Sequence, residues 1–171
     1  MSTTTSSSPG TLYPTHNDLP EASRGQIAAL LNRRLADAID LQLQCKQAHW
    51  NVKGPSFIAL HELFDKVYGG VEEYVDLLAE RIVQLGGIAE GTARTVAEHS
   101  ELDEYPVTIA SGTDHVRAMS SALAAFGSRM RLTTREVDEL EDAGSADICT
   151  EISRGIDKWL WFVESHGQAK S

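Results

Sequence analysis

Residues 49–81, HWNVKGPSFIALHELFDKVYGGVEEYVDLLAER, combine a helix break with a long apolar run at helical spacing. Gly54 and Pro55 end one helix, because proline cannot continue a helix and disfavours helical geometry in the residue before it. Ser56 is a suitable N-cap for the next helix. After it, apolar residues recur every three or four positions, which predicts a long amphipathic helix over 56–86.

The same periodicity continues on both sides of this segment. It predicts four further helices, over 23–52, 92–99, 113–141 and 146–165, the last two separated by Gly144-Ser145. An extended piece is expected at 105–110. Four long helices with one long crossover between the second and the third favour an all-α, ferritin-like four-helix bundle, with the short helix in the crossover.

The composition is that of one compact domain. The 171 residues include 42% apolar side chains, and no run approaches the ~18 apolar residues of a membrane span. Residues 1–22 are rich in Ser, Thr and Pro and lack the features of a secretory signal, so we expect a cytoplasmic protein. The expected organisation is a flexible tail or surface strap over 1–22, the bundle over 23–166 and a short C-terminal tail over 167–171.

The net charge of the chain indicates which kind of partner it can bind. The chain has 25 acidic residues against 15 Lys and Arg, a net charge of −10. This acidic excess disfavours binding of nucleic acid and favours binding of cations. Cys45 and Cys149 are too few for a disulfide scaffold, and we expect free thiols. Cys45 is expected to be a small buried hydrophobe, although its place one turn before His49 would also let it approach a metal.

Two pairs of potential metal ligands lie on one stripe of the second helix. His61 and Asp65 are four residues apart and share a helix face. Asp76 and Glu80 repeat this spacing, but Asp76 lies eleven residues beyond Asp65, which is roughly 16 Å along a helix. One metal centre cannot span that distance. A two-fold axis near Gly69-Gly70 would instead place each pair opposite the other pair of a second chain, in an isologous dimer.

His49, at the end of the first helix, can join this set across the short connection. Two imidazoles and three carboxylates without a thiolate suit Fe(II), Mn(II) or Zn(II), and open positions among carboxylates suit iron redox chemistry best. Each pair alone could equally be an ordinary surface pair. All five on one stripe among apolar residues favour a metal centre.

The segment resembles the Dps family, the DNA-binding proteins from starved cells, also called mini-ferritins. The family pattern H-W-N-x-x-G-x-x-F-x-x-x-H-x-x-x-D, followed by D-x-x-x-E-R, is matched by His49, Trp50, Asn51, Gly54, Phe57, His61, Asp65, Asp76, Glu80 and Arg81. A second block, SADICTEISRGIDKWLWFVESH at 145–166, is similar to the family's last helix. The resemblance covers about residues 25–166.

The resemblance implies a hollow homododecamer built from two-fold dimers, with an inter-subunit ferroxidase centre at each end of the dimer interface. It implies that His49, His61 and Asp65 come from one subunit and Asp76 and Glu80 from its mate. The implied reaction is oxidation of Fe(II), preferentially by hydrogen peroxide, and storage of the ferric mineral, which protects against oxidative damage. Zn(II) could occupy the same site.

Other side chains could assist this chemistry. Trp50, next to His49, is the best candidate for a protein electron donor. Tyr68 and Tyr74 are weaker candidates, and filling the dimer interface is the favoured role for both. Arg81 could orient the carboxylate of Glu80.

Seven acidic residues lie between Glu136 and Glu151 with no lysine or arginine among them. Three symmetry copies of such a segment around a channel would attract divalent cations. In the family, the junction of the last two long helices lies near a three-fold pore, so Asp142 and Asp147 are the pore candidates. The alternative is a solvated acidic helix end.

The net charge and the distribution of basic residues also affect whether the protein can bind DNA. Family members that bind DNA commonly use a lysine-rich tail, whereas residues 1–24 contain one basic residue, Arg24. Twelve chains at −10 each would give a shell of about −120, so we expect weak or absent DNA binding. A DNA-compacting structural protein and a passive zinc buffer remain the alternative functions. The sequence assigns no role to three further histidines, His99, His115 and His166.

Overall fold

A computed structural model describes residues 11–168, and five α-helices make up most of that part of the chain. They are α1 (Glu21–Asn51), α2 (Phe57–Gln84), α3 (Ala93–His99), α4 (Gly112–Glu139) and α5 (Ala143–Gln168). Within 11–168 the only β-type pairing is an isolated bridge between Lys53 and Ser111. The predicted all-α fold, with a short helix in the long crossover, is confirmed.

The four long helices pack as two hairpins. The α1–α2 pair and the α4–α5 pair each join through a short loop, and contacts of α1 with α4 and of α2 with α5 close the bundle. Residues 85–111 cross from the end of α2 to the start of α4, and α3 packs against α1 on the way. The interior is filled by completely buried side chains from all four long helices, among them Leu31, Phe64, Phe126 and Ile152.

The break between α4 and α5 lies earlier than predicted. Glu141 adopts a positive φ of 62°, and α5 already begins at Ala143, so the predicted break at Gly144-Ser145 is wrong. The side chain of Asp142 accepts hydrogen bonds from the backbone N–H and the hydroxyl of Ser145, which satisfies the first turn of α5. The break between α4 and α5 therefore results from the left-handed backbone conformation of Glu141 and from capping of α5 by the carboxylate of Asp142.

The expected extended piece at 105–110 contains a turn at residues 107–108 instead of a strand. Ile109 donates its backbone N–H to the carbonyl of Pro106, and Lys53 donates to the carbonyl of Ala110. Tyr105, at the start of this piece, is buried. The crossover is thus tied to the α1–α2 loop and contributes a side chain to the core.

Residues 11–20 lie along the surface as a strap. The Tyr13 N–H donates to the carbonyl of Gly86 at 2.7 Å. Arg24 of α1 joins the strap to the end of α2, because its guanidinium donates to the carbonyls of Leu19 and Leu85. The rest of the expected N-terminal tail, residues 1–10, and residues 169–171 lie outside the described part. No helix within 11–168 is long and apolar enough to cross a membrane.

Candidate metal centre

His49 and His61 form a reciprocal pair between α1 and α2. The Nδ1 atom of His49 lies 2.7 Å from the carbonyl oxygen of His61, and Nδ1 of His61 lies 2.8 Å from the carbonyl oxygen of His49. The two rings are stacked, with centroids 3.7 Å apart and planes inclined by 21°. The short loop after α1 permits this contact, because it brings the last turn of α1 beside the first turns of α2.

This geometry fixes the tautomer of both rings. A carbonyl oxygen can only accept a hydrogen bond, so each Nδ1 must carry the proton and donate. Nε2, the other ring nitrogen, is then the atom left to bind a metal, and both side chains are partly exposed. A backbone carbonyl on the other nitrogen is the partner that metal-binding histidines usually have. The pair is therefore oriented so that Nε2 of each ring is left for a cation.

Asp65 lies on the same face, one turn beyond His61. It is about half exposed and forms an ion pair with Lys46 of α1. The hydrogen bond from Lys46 is the main reason that the pKa of Asp65 is lowered, and His49 and His61 contribute to the same shift. Asp65 is thus an anionic carboxylate within electrostatic range of both imidazoles, and the Lys46 ammonium is bound to it.

Asp76 and Glu80 lie at the other end of α2, and both are exposed. Within residues 11–168 neither carboxylate forms an ion pair, and no group of three or more His, Cys, Asp or Glu is close enough to hold a metal ion. The structure therefore brings His49, His61 and Asp65 to one end of α2 and leaves Asp76 and Glu80 apart from them.

The predicted aromatic residues divide into surface and core positions. Trp50 is 69% exposed beside His49. Tyr68 lies beneath the ammonium of Lys46, which is 4.3 Å from the ring centroid. Tyr74 is only 9% exposed and packs against Gly155 of α5 within its own chain, in contrast to the interface role favoured for it from the sequence.

Gly69 and Gly70 have different environments. A Cβ on Gly69 would meet no atom within 4 Å, so this side of α2 is open in the single chain. A Cβ on Gly70 would lie 2.8 Å from ring carbons of Trp159, so Gly70 allows α5 to pack closely on α2. Only Gly69 remains available for the close approach of a second helix that the sequence predicted for both.

Arg81 contacts a different carboxylate from the predicted one. Its guanidinium donates to Asp142 at 2.8 Å and to the hydroxyl of Ser145, and it does not bond to Glu80. Burial alone would raise the pKa of Asp142, but hydrogen bonds from Ser145 and Arg81 outweigh it, and the pKa is lowered. Asp142 is 3% exposed and holds α2 to the start of α5, whereas Asp147 is exposed. The pore hypothesis therefore rests on Asp147, since Asp142 is used inside the chain.

Sequence reasoning missed Lys46 as a member of this site. The signal was available, because Lys46 precedes His49 by three residues and so shares its helix face. The cysteines offer no ligand: both are completely buried, and burial raises the pKa of both thiols, that of Cys149 to about 12. His99 and His166 are exposed and bond to carbonyls of their own helices.

The chain is similar to known proteins in both sequence and fold. Residues 28–169 match the model of the ferritin-like domain family. A DNA protection during starvation protein from Agrobacterium fabrum is 43% identical over 93% of this chain and 98% of its own. The structure of DpsC from Streptomyces coelicolor is 28% identical, covers 96% of both chains and superposes with a TM-score of 0.90.

A third relative is a solved structure of a high iron form. The structure of Dps from Microbacterium arborescens in the high iron form is 34% identical to this chain, covers 92% of it and all of its own chain, and superposes with a TM-score of 0.81. The predicted ferritin-like fold and the resemblance to Dps are both confirmed. The chain belongs to the Dps family of ferritin-like proteins.

Proposed function

We propose that this protein is a ferroxidase and iron-storage mini-ferritin whose metal centre forms between two chains. The reciprocal His49–His61 pair is the observation that carries the proposal. Both rings are held by backbone carbonyls through Nδ1, and the anionic carboxylate of Asp65 lies one turn beyond His61 on the same face of α2. Two imidazoles and a carboxylate are a suitable half of an Fe(II) site with open positions.

The second half comes from a second copy of the chain. Asp76 and Glu80 are exposed carboxylates on the same helix as His61 and Asp65, roughly 16 Å further along. A two-fold axis can cross α2 near Gly69, where the helix surface is open. It then places His61 and Asp65 of each chain opposite Asp76 and Glu80 of the other chain, at both ends of the interface. Each dimer then has two equivalent centres with five protein ligands each.

Fe(II) is the substrate of this centre, and hydrogen peroxide is the preferred oxidant. Peroxide takes up two electrons and two protons as its O–O bond breaks to give two water molecules, so hydroxyl radical is not released. Trp50, which is exposed beside His49, is an electron donor near the iron. The ferric product is stored as mineral in a hollow dodecamer, and Fe(II) enters past the exposed carboxylate of Asp147.

Replacing His61 and Asp65 together by Ala tests the centre. The double variant should assemble normally but lose peroxide-dependent oxidation of Fe(II), measured by stopped-flow absorbance. His99→Ala is the matched control, because His99 is exposed on α3 and bonds only to its own helix. Zn(II), which fits the same ligands but is not oxidised, should inhibit the wild type competitively. Unchanged oxidation kinetics in the double variant would contradict the assignment.

DNA is at most a weak partner in this proposal. The net charge of −10 opposes the DNA backbone. Arg24, the basic residue nearest the start of α1, is 7% exposed and bonds to two carbonyls of its own chain, so it is not available to phosphates. A gel shift in low-millimolar Mg(II) should show no retardation. Tight binding that fades with added salt would favour a DNA-compacting role instead.

A further inference from the structure

A buried tyrosine–histidine pair lies behind the candidate metal centre. Tyr105, from the crossover, is 7% exposed, and His115, from the first turns of α4, is 1% exposed. The Tyr105 hydroxyl and Nδ1 of His115 are 2.7 Å apart, which is a short hydrogen bond between two groups able to exchange a proton. The proposed ferroxidase centre uses neither side chain.

The pair lies near both helices that carry the histidine ligands. Within α1, Cys45 is near enough to Tyr105, and Asn51 near enough to His115, to influence the pKa of each. These two residues lie one turn before His49 and two residues after it. Within α2, the ring of Phe64, the neighbour of Asp65, has its centroid 6.4 Å from that of His115. The pair therefore lies on the inner side of the helix turns that present the metal ligands.

The surroundings fix the resting protonation of the pair. Burial lowers the pKa of His115, so its ring is neutral at rest and Nδ1 accepts the hydrogen bond. Burial raises the pKa of Tyr105, so the phenol keeps its proton and donates it to Nδ1. The carbonyls of Ile109 and Asn51 and the charge of Asp114 favour the protonated ring, so they stabilise His115 if it receives a proton.

We propose that Tyr105 and His115 form a redox-active pair that supplies one electron to peroxide at the metal centre when only one Fe(II) is bound there. The inference rests on the proposed ferroxidase function. Fe(II) gives one electron and becomes Fe(III), and Tyr105 gives the second as its phenolic proton moves to Nδ1 of His115. Peroxide takes both electrons and two protons from solvent and leaves as two water molecules. A second Fe(II) then reduces the Tyr105 radical, and His115 returns the proton.

The other tyrosines lack this arrangement. Tyr13 is 60% exposed, and Tyr68 has only a long 3.4 Å contact with Glu72. Tyr74 packs on Gly155. Within residues 11–168, Tyr105 is the tyrosine whose hydroxyl bonds to a histidine, so it is the one whose oxidation is coupled to a local proton acceptor. If the exposed indole of Trp50 is oxidised first, it can oxidise Tyr105 in turn, and the radical then remains on Tyr105.

Rapid-freeze electron paramagnetic resonance tests the pair in the assembled protein. The wild type, loaded without oxygen with one Fe(II) per centre and mixed with hydrogen peroxide, should give a tyrosyl radical signal. Tyr105→Phe should abolish this signal, and the matched control Tyr13→Phe should retain it. His115→Gln should change the high-field g values of the radical, because these values report the hydrogen bond to the tyrosyl oxygen.

Two readouts separate this inference from the ferroxidase proposal. Stopped-flow absorbance of the same samples reports Fe(III) formation. If Fe(III) does not form in the wild type, the ferroxidase proposal fails. If Fe(III) forms but no protein radical appears, if the radical survives in Tyr105→Phe, or if only a tryptophan radical is found, the proposed role of Tyr105 fails while ferroxidase activity stands.

Discussion

Lys46→Gln should tighten the binding of divalent cations. The Lys46 ammonium forms an ion pair with Asp65, the carboxylate that is proposed to bind Fe(II) with His49 and His61. A metal ion must displace that ammonium before Asp65 can bind it, and the displaced charge stays near the site and repels the cation. Glutamine has nearly the length of lysine without the charge, so the substitution removes this competition and preserves most of the packing.

The size of the expected change in cation affinity depends on how exposed the Asp65 and Lys46 side chains are. The Asp65 side chain is 51% exposed and that of Lys46 is 25% exposed, so solvent screens the pair. Exposed ion pairs contribute about 0.2–1 kcal/mol, so losing this one changes the dissociation constant by about 1.5-fold to fivefold. The gain should shrink as salt is added, because screening already weakens the pair in the wild type.

Anaerobic titration with Co(II), followed by its visible absorption, measures this effect without turnover. Lys66→Gln is the matched control: Lys66 adjoins Asp65 and is exposed, but forms no ion pair within the described residues. Lys46→Gln should bind Co(II) more tightly than Lys66→Gln at low salt. Equal affinities in the two variants would refute the competition, and weaker binding in Lys46→Gln would make Lys46 a positioning residue for Asp65.

Two further predictions concern the helix contacts that support the site. Asp142→Ala leaves Arg81 without its carboxylate partner and should destabilise the chain by about 3 kcal/mol or more in chemical denaturation at equal protein concentration. Because the pKa of Asp142 is lowered, the wild type keeps this advantage above pH 3.8 and loses it as pH falls through the folded-state pKa. Gly155→Ala places a Cβ against the Tyr74 hydroxyl and 2.7 Å from its Cζ, and should cost about 1–3 kcal/mol. Tyr74→Phe in the same chain should recover part of that loss in thermal denaturation.

The helical framework could be predicted because its signals are local. Apolar periodicity and the Gly54-Pro55 break give the extents of α1 and α2 within about two residues. The break between α4 and α5 was misplaced because its cause is a contact between distant residues. Arg81 of α2 binds Asp142, Asp142 caps the first turn of α5, and Gly144 leaves room for the guanidinium. The sequence predicts a helix break at Gly144, whereas in the structure this glycine allows the close approach of Arg81.

For the candidate site, the sequence predicts residues and not the contacts between them. Spacing put His61 and Asp65 on one face and showed that Asp76 is too far away for the same centre. It could not show that the backbone carbonyls of His49 and His61 fix each other's tautomer, because that depends on how two helices align. The Tyr105–His115 pair was invisible for the same reason, since a loop turn and a helix end must meet to form it.

The value of a carboxylate to a cation site depends on what already neutralises it. Asp142 is bound by Arg81 inside the chain, and Asp65 is held by a lysine that a metal can displace. Asp76 and Glu80 form no ion pair within residues 11–168, although their spacing of four helical residues makes them repel each other by about 0.2–0.5 kcal/mol. A cation between this pair and the imidazoles of a second chain would turn that repulsion into binding energy. In the proposed centre, the acidic excess acts through Asp76 and Glu80, which the described part of the single chain leaves unneutralised.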